Sequence, residues 1–231
     1  MSTWSTTQGD KQKCRELLIS SVREHITTPI NCFLLPGEEA IDAKLIKQEF
    51  NCRIIGVERD YARCQKIEES TRGFMHIENT DIRDYIKVQD FKNNHTKAKP
   101  TLFDFAFLDY LCGHDDSCQK EIEDFVKLLM KPTSILALTF NKASRKGRDR
   151  FDSFIEHNTF LNWDYSLDAP EEDWRKEDTN TPENIAAAIY GRLMEVVPYI
   201  HCELLHAFEY QANPDGNSNY MHYIVMKIEK R

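Results

Sequence analysis

Along most of the chain, short apolar runs alternate with stretches whose apolar residues recur at helical spacing. After a small, polar lead-in, Cys14, Leu17, Leu18, Ser21, Val22 and His25/Ile26 share one side of a helix expected over about 11–27, and Pro29 stops it. Asn31–Leu35, Arg53–Val57, Phe74–Ile77, Phe103–Leu108 and Ser134–Phe140 read as buried strands. Between them Glu38–Phe50, Tyr61–Ser70, Ile82 to about Val88, and Gln119–Met130 read as helices, with Phe91–Pro100 a polar connector. Five strands alternating with helices predict parallel βαβ units with right-handed crossovers. The near-continuous apolar character of the strands predicts a sheet covered on both faces.

The pattern changes beyond Asn141. A basic run over 142–150, a helix from about Arg148 to His157 and a charged, Trp-bearing segment make up an insertion of about 142–184. Thr181 caps the next predicted helix, with Pro182 and Glu183 in its first turn, and this helix runs to about Val197. His201–Gln211 and Tyr220–Glu229 form two further strands. The Asn213-Pro-Asp-Gly-Asn-Ser loop between them is a hairpin signal, so this pair is expected to be antiparallel. The pattern as a whole predicts one doubly wound α/β domain with a seven-stranded, mostly parallel sheet.

A chain of 231 residues with 41% hydrophobic positions is long enough to bury a substantial core. No apolar run approaches the roughly 18 residues of a membrane span, and no apolar leader follows Met1, so the expectation is neither a membrane nor a secreted protein. Seven cysteines without a CxxC pair, several of them inside apolar runs, fit a reducing, cytoplasmic compartment. The net charge of -8 repels polyanions overall. Nucleic-acid contact would therefore rest on the local basic run, with Lys142, Arg145 and Lys146 as candidate substrate contacts.

In an open α/β sheet, ligands bind beyond the carboxyl ends of the strands, near the point where strand order reverses. The first strand ends in Leu35-Pro36-Gly37-Glu38, and the second in Glu58-Arg59, with Glu58 placed 21 residues beyond Gly37. An acid about 20 residues after the first loop is placed to grip a ribose hydroxyl pair. The third strand ends in Asn79-Thr80-Asp81, followed by Ile82, and the fourth in Asp109-Tyr110. Each acid has a plain structural role open to it: Glu58 as a solvated strand end paired with Arg59, Asp81 as a helix N-cap. Their recurrence at one edge in successive units is what marks that edge. Cys112, His114, Asp115 and Cys118 match no common zinc spacing, so no metal site is expected.

On these residues the chain resembles the class I S-adenosylmethionine-dependent methyltransferases, over about Asn31–Phe140 and again in the closing hairpin. The resemblance implies S-adenosyl-L-methionine as cofactor. It places the methionine part at Leu35–Glu38, the ribose at Glu58 with Arg59 beside it, and the adenine at Asp81 and Ile82. Asp109 and Tyr110 then fall near the methyl group and the acceptor. Where the family repeats glycines in its first loop, this chain has a single Gly37 after a proline, a reduction also found in phage and viral methyltransferase-like proteins. The expected function is methyl transfer, with nucleic acid favoured as acceptor by the basic run. The alternative is an inactive methyltransferase fold serving as a cofactor-sensing or partner-binding module. A nicotinamide-dependent oxidoreductase would call for a GxGxxG loop that the sequence lacks.

Overall fold

The structure, a computed structural model, describes residues 6–96, 100–110, 113–142, 181–211 and 220–231. In chain order these form α1 (Thr6–His25), β1 (Ile30–Leu34), α2 (Ile41–Glu49), β2 (Cys52–Glu58), α3 (Tyr61–Thr71), β3 (Met75–Asn79) and α4 (Ile82–His95). Then follow β4 (Phe103–Asp109), α5 (Asp116–Leu129), β5 (Met130–Asn141), α6 (Pro182–Val196), β6 (Ile200–Gln211) and β7 (Tyr220–Lys230). The strands make one sheet in the order β3-β2-β1-β4-β5-β7-β6. β1 to β5 pair in parallel, as the βαβ pattern requires. β7 runs antiparallel to both β5 and β6, so it alone is reversed, and it lies inside the sheet rather than at its margin.

Helices cover both faces. Cys32, Leu34, Phe105, Phe107, Ile135 and Val225 point to the layer holding α1, α2 and α3. Phe33, Ala106, Leu108, Leu136 and Ile224 point to the layer of α4, α5 and α6. Successive side chains of a strand leave on opposite faces, and this alternation sorts neighbouring residues into two cores. Burial from both sides also explains the unbroken apolar runs, since every residue of Phe103–Leu108 is buried. The one acid within that run, Asp104, accepts from the Asn31 amide at 2.7 Å and from the Lys131 ammonium at 2.7 Å, so its charge is not left unpaired.

Side chains cap four of the helices, each filling amide groups that a helix start leaves open. Asp60 accepts from the amides of Ala62 and Arg63, Asp81 from Arg83, Asp115 from Cys118 and Thr181 from Asn184. The structure corrects the sequence reading at two boundaries. α4 continues to His95 through what reads as the polar connector, its last turns exposed and marked by Phe91 lying against His95 at 4.7 Å. That surface turn has no buried stripe to give it a periodic apolar signal. β5 also begins earlier, at Met130. The predicted helix near 148–157 and most of the insertion lie outside the described residues. Among the described residues no helix is long and apolar enough to cross a membrane.

Candidate active site

β1 has β2 on one side and β4 on the other, so the chain's crossovers diverge at the β1/β4 boundary and the loops leaving these strands part there. A cavity of about 280 Å³ opens at this point, on the α1–α2–α3 face. Its mouth is formed by the loop from Gly37 to Ala40 and the start of α2, and Asp109 at the end of β4 lies on its wall. The Leu35 amide donates to the Phe107 carbonyl at 3.1 Å, tying the beginning of that loop to β4. A Cβ placed on Gly37 would find no heavy atom within 4 Å, so the glycine leaves open space at the mouth. Ala40, just before α2, takes the left-handed conformation with φ 48 and offers no capping side chain. The positive end of α2 therefore stands beside the cavity without a side-chain cap from its N-cap residue.

Asp109 accepts a hydrogen bond from the Thr139 hydroxyl, which comes from the neighbouring strand β5 and lines the same cavity. Burial raises the pKa of Asp109 from its ordinary value, with the Thr139 hydrogen bond opposing that shift. Arg15 of α1 closes the cavity from the other side and donates to Asp42 at 2.8 Å. Tyr210 of β6 and Tyr223 of β7 supply aromatic wall, and the Tyr223 hydroxyl donates to the Cys14 carbonyl at 2.8 Å.

Glu58, Arg59, Asp81 and Ile82 stand outside this cavity, at the adjoining ends of β2 and β3. Glu58 lies opposite Asn79 in the sheet register. One Glu58 oxygen accepts from the Asp60 amide at 2.8 Å, while the other is 3.9 Å from Arg63. Arg63 also reaches Glu38 at 3.4 Å, and Lys66 reaches the other Glu38 oxygen at 2.9 Å, so the first two loops share cations. The Asn79 amide donates to the carbonyls of Glu58 and Arg59, both at 3.0 Å, fixing the two strand ends against each other. Asp81 performs its N-cap role through one oxygen, accepting from Arg83 at 2.9 Å, and Ile82 is buried in the α4 core.

Contrary to what the resemblance implied, Tyr110 does not stand beside the cavity with Asp109. Its ring is 7% exposed and stacks on Phe140 at 5.4 Å with 4° between planes, on the face opposite the cavity. The strand pleat separates it from Asp109. Lys142 donates to Glu209 at 2.7 Å, and Arg145 and Lys146 lie outside the described residues. Sequence reasoning missed Arg15, Asp42, Thr139, Tyr210 and Tyr223. A Thr near the end of the apolar fifth strand was a usable signal. The others depend on which distant segments meet.

No protein-family model matches the sequence, and comparison with characterised protein sequences finds no match. Solved structures do match. A protein from Streptococcus mutans assigned as a SAM-dependent methyltransferase superposes with a TM-score of 0.57 at 12% identity, covering 94% of this chain and 48% of that one. P. horikoshii TYW2 in complex with MeSAdo gives 0.51 at 12% identity, covering 95% and 62%. N-methyltransferase NodS from Bradyrhizobium japonicum WM9 gives 0.50 at 14%, covering 96% and 97%. The chain thus spans about half the length of the S. mutans protein and nearly all of NodS. Its fold is that of the class I methyltransferases.

Proposed function

We propose that the protein binds S-adenosyl-L-methionine at the β1/β4 crevice and transfers its methyl group to an acceptor. The observation that carries this reading is the cavity at the topological switch point, walled by the Gly37–Ala40 loop and by Asp109, with Glu58 and Asp81 at the next two strand ends. These residues fit the cofactor. The open space at Gly37 and the end of α2 without an N-cap side chain suit a carboxylate. Glu58 offers a carboxylate for the ribose hydroxyls, and Asp81, with Ile82 behind it, borders the adenine position.

When bound, the cofactor supplies an electrophilic methyl group on a sulfonium. The chain's own part is positioning and desolvation. Thr139 fixes one Asp109 oxygen and leaves the other for a hydrogen bond from an acceptor. Burial, by raising the carboxyl pKa, makes Asp109 a better proton acceptor than an exposed aspartate. α1 shields the cavity from water on the side of Cys14 and Leu18.

Isothermal titration with S-adenosylmethionine and S-adenosylhomocysteine tests the reading. The native protein should show saturable binding, and Glu58→Ala should weaken it at least tenfold with its melting temperature kept. Absence of heat at millimolar ligand would overturn the proposal.

A further inference from the structure

The cavity continues past the strand ends into the layer beneath α1. There Cys14 and Leu18 of α1 face Phe107, Tyr210 and Tyr223 of the sheet. The whole cavity, its mouth at Gly37–Ala40 included, has a volume of about 280 Å³, the share of roughly nine water molecules in the liquid, so the inner part is smaller still. That space admits a small molecule or one protruding group, and not a folded protein or a duplex.

The polar groups of this inner part are few and mostly engaged. Tyr223 gives its proton to the Cys14 carbonyl. Asp42 is matched by Arg15, and Glu38 by Arg63 and Lys66. Four groups of the lining remain without a hydrogen-bond partner among the described residues: the Asp109 oxygen not used by Thr139, the Tyr210 hydroxyl, and at the mouth the Lys11 ammonium and the Glu39 carboxylate. Counting the cations that pair with Glu38, the four acids of the wall (Glu38, Glu39, Asp42, Asp109) face four bases (Lys11, Arg15, Arg63, Lys66), and Asp109 is the carboxylate that borders the aromatic faces with no ion pair among the described residues. Aromatic faces beside an available carboxylate attract an organic cation and disfavour an anion.

We infer that this inner cavity is the acceptor subsite and that it takes a compact organic amine, its nitrogen at Asp109 and its apolar part against Phe107, Tyr210 and Tyr223. The term acceptor rests on the methyltransferase reading, whereas the affinity for an amine rests on the cavity alone.

The probe is phenethylamine, titrated into the full chain with and without S-adenosylhomocysteine and followed by calorimetry or ligand-observed NMR. Its anionic isostere 3-phenylpropionate and adenosine monophosphate serve as the contrasting arms. Phenethylamine should bind saturably and at least tenfold more tightly than either. Asp109→Asn, a substitution of the same shape, should cut that affinity at least tenfold, and Tyr210→Phe a few-fold, with melting curves confirming folded protein. Equal or tighter binding of 3-phenylpropionate or the nucleotide, no saturable phenethylamine binding, or unchanged affinity in Asp109→Asn would each overturn the inference. Binding of S-adenosylhomocysteine without the amine defeats the subsite alone. Binding of the amine without S-adenosylhomocysteine preserves the amine site and defeats the methyltransferase reading.

Discussion

On the face covered by α4, α5 and α6, Phe33 packs against Phe125 at 4.6 Å, Tyr85 at 5.2 Å and Phe103 at 5.3 Å, and the rings fill the space between sheet and helices. On the face covered by α1, α2 and α3, Phe107, Thr139 and Tyr223 instead look into a cavity. Both walls come from the same strands, and Phe107 and Ala106 are neighbours in β4. The difference is therefore made by the helices and side chains laid over each face, not by the sheet. A filled face gains dispersion contacts at every atom. The open face forgoes some of that and keeps an aspartate whose charge burial disfavours, an arrangement that suits binding better than stability.

The filled face is where a deletion should hurt most. Phe125→Ala removes a ring with 0% exposure that touches both Phe33 and Phe103. It should cost about 3–5 kcal/mol in chemical denaturation, and a loss below about 1 kcal/mol would show that this face is no better packed than the other.

The same face carries a buried polar chain. His114 donates through Nε2 to Gln119 at 2.9 Å, Gln119 donates to Glu123 at 3.0 Å, and Arg192 of α6 donates to Glu123 at 3.2 Å. Burial lowers the His114 pKa from 6.5 to about 4. The folded protein then keeps this imidazole neutral where the unfolded chain protonates it, so the unfolded state binds the extra proton between those values. The resulting stability is complete above pH 6.5 and disappears as pH falls toward 4, by about 3 kcal/mol. Melting curves from pH 7 to 4 should fall more steeply in the native protein than in His114→Gln, and parallel curves would remove His114 from the account.

The smallest effect belongs to the open face. Gly37→Ala adds a methyl group where nothing lies within 4 Å, so stability should change by less than about 0.5 kcal/mol. Affinity for S-adenosylmethionine should nevertheless drop in titration, because the added carbon enters the space proposed for the ligand. A loss of stability with unchanged affinity would reverse the contrast between the two faces.

Much of this architecture is legible in the sequence because local patterns determine it. The apolar runs mark all seven strands to within a few residues, and the hairpin loop correctly pairs β6 with β7. The strand-end acids are visible for the same reason, since each closes an apolar run. Asp109 and Tyr110 show where a linear reading falls short. Adjacent in sequence, they suggest one site, yet the period-two pleat sends Asp109 toward the cavity and Tyr110 into the opposite core. That separation was itself deducible from Phe105, Phe107 and Asp109 standing two apart. The meeting of Arg15 with Asp42, or of Tyr210 and Tyr223 with α1, was not deducible, because it depends on tertiary pairing rather than on neighbouring residues.

The place of β7 between β5 and β6 has a consequence for synthesis on the ribosome. Among the described residues β6 pairs in the sheet only with β7, and the Tyr223 hydroxyl meets a carbonyl 209 residues earlier in α1. A nascent chain that has released β1 to β5 can assemble their parallel pairs while α1 still lacks two of the strands it packs on, β6 and β7. The pocket's inner wall closes only when β7 emerges and draws β6 and α1 together. Contacts of such long sequence separation form late and slowly. A chain cut before β7 would therefore be expected to keep the sheet's central parallel pairs without the inner wall that Tyr210 and Tyr223 supply.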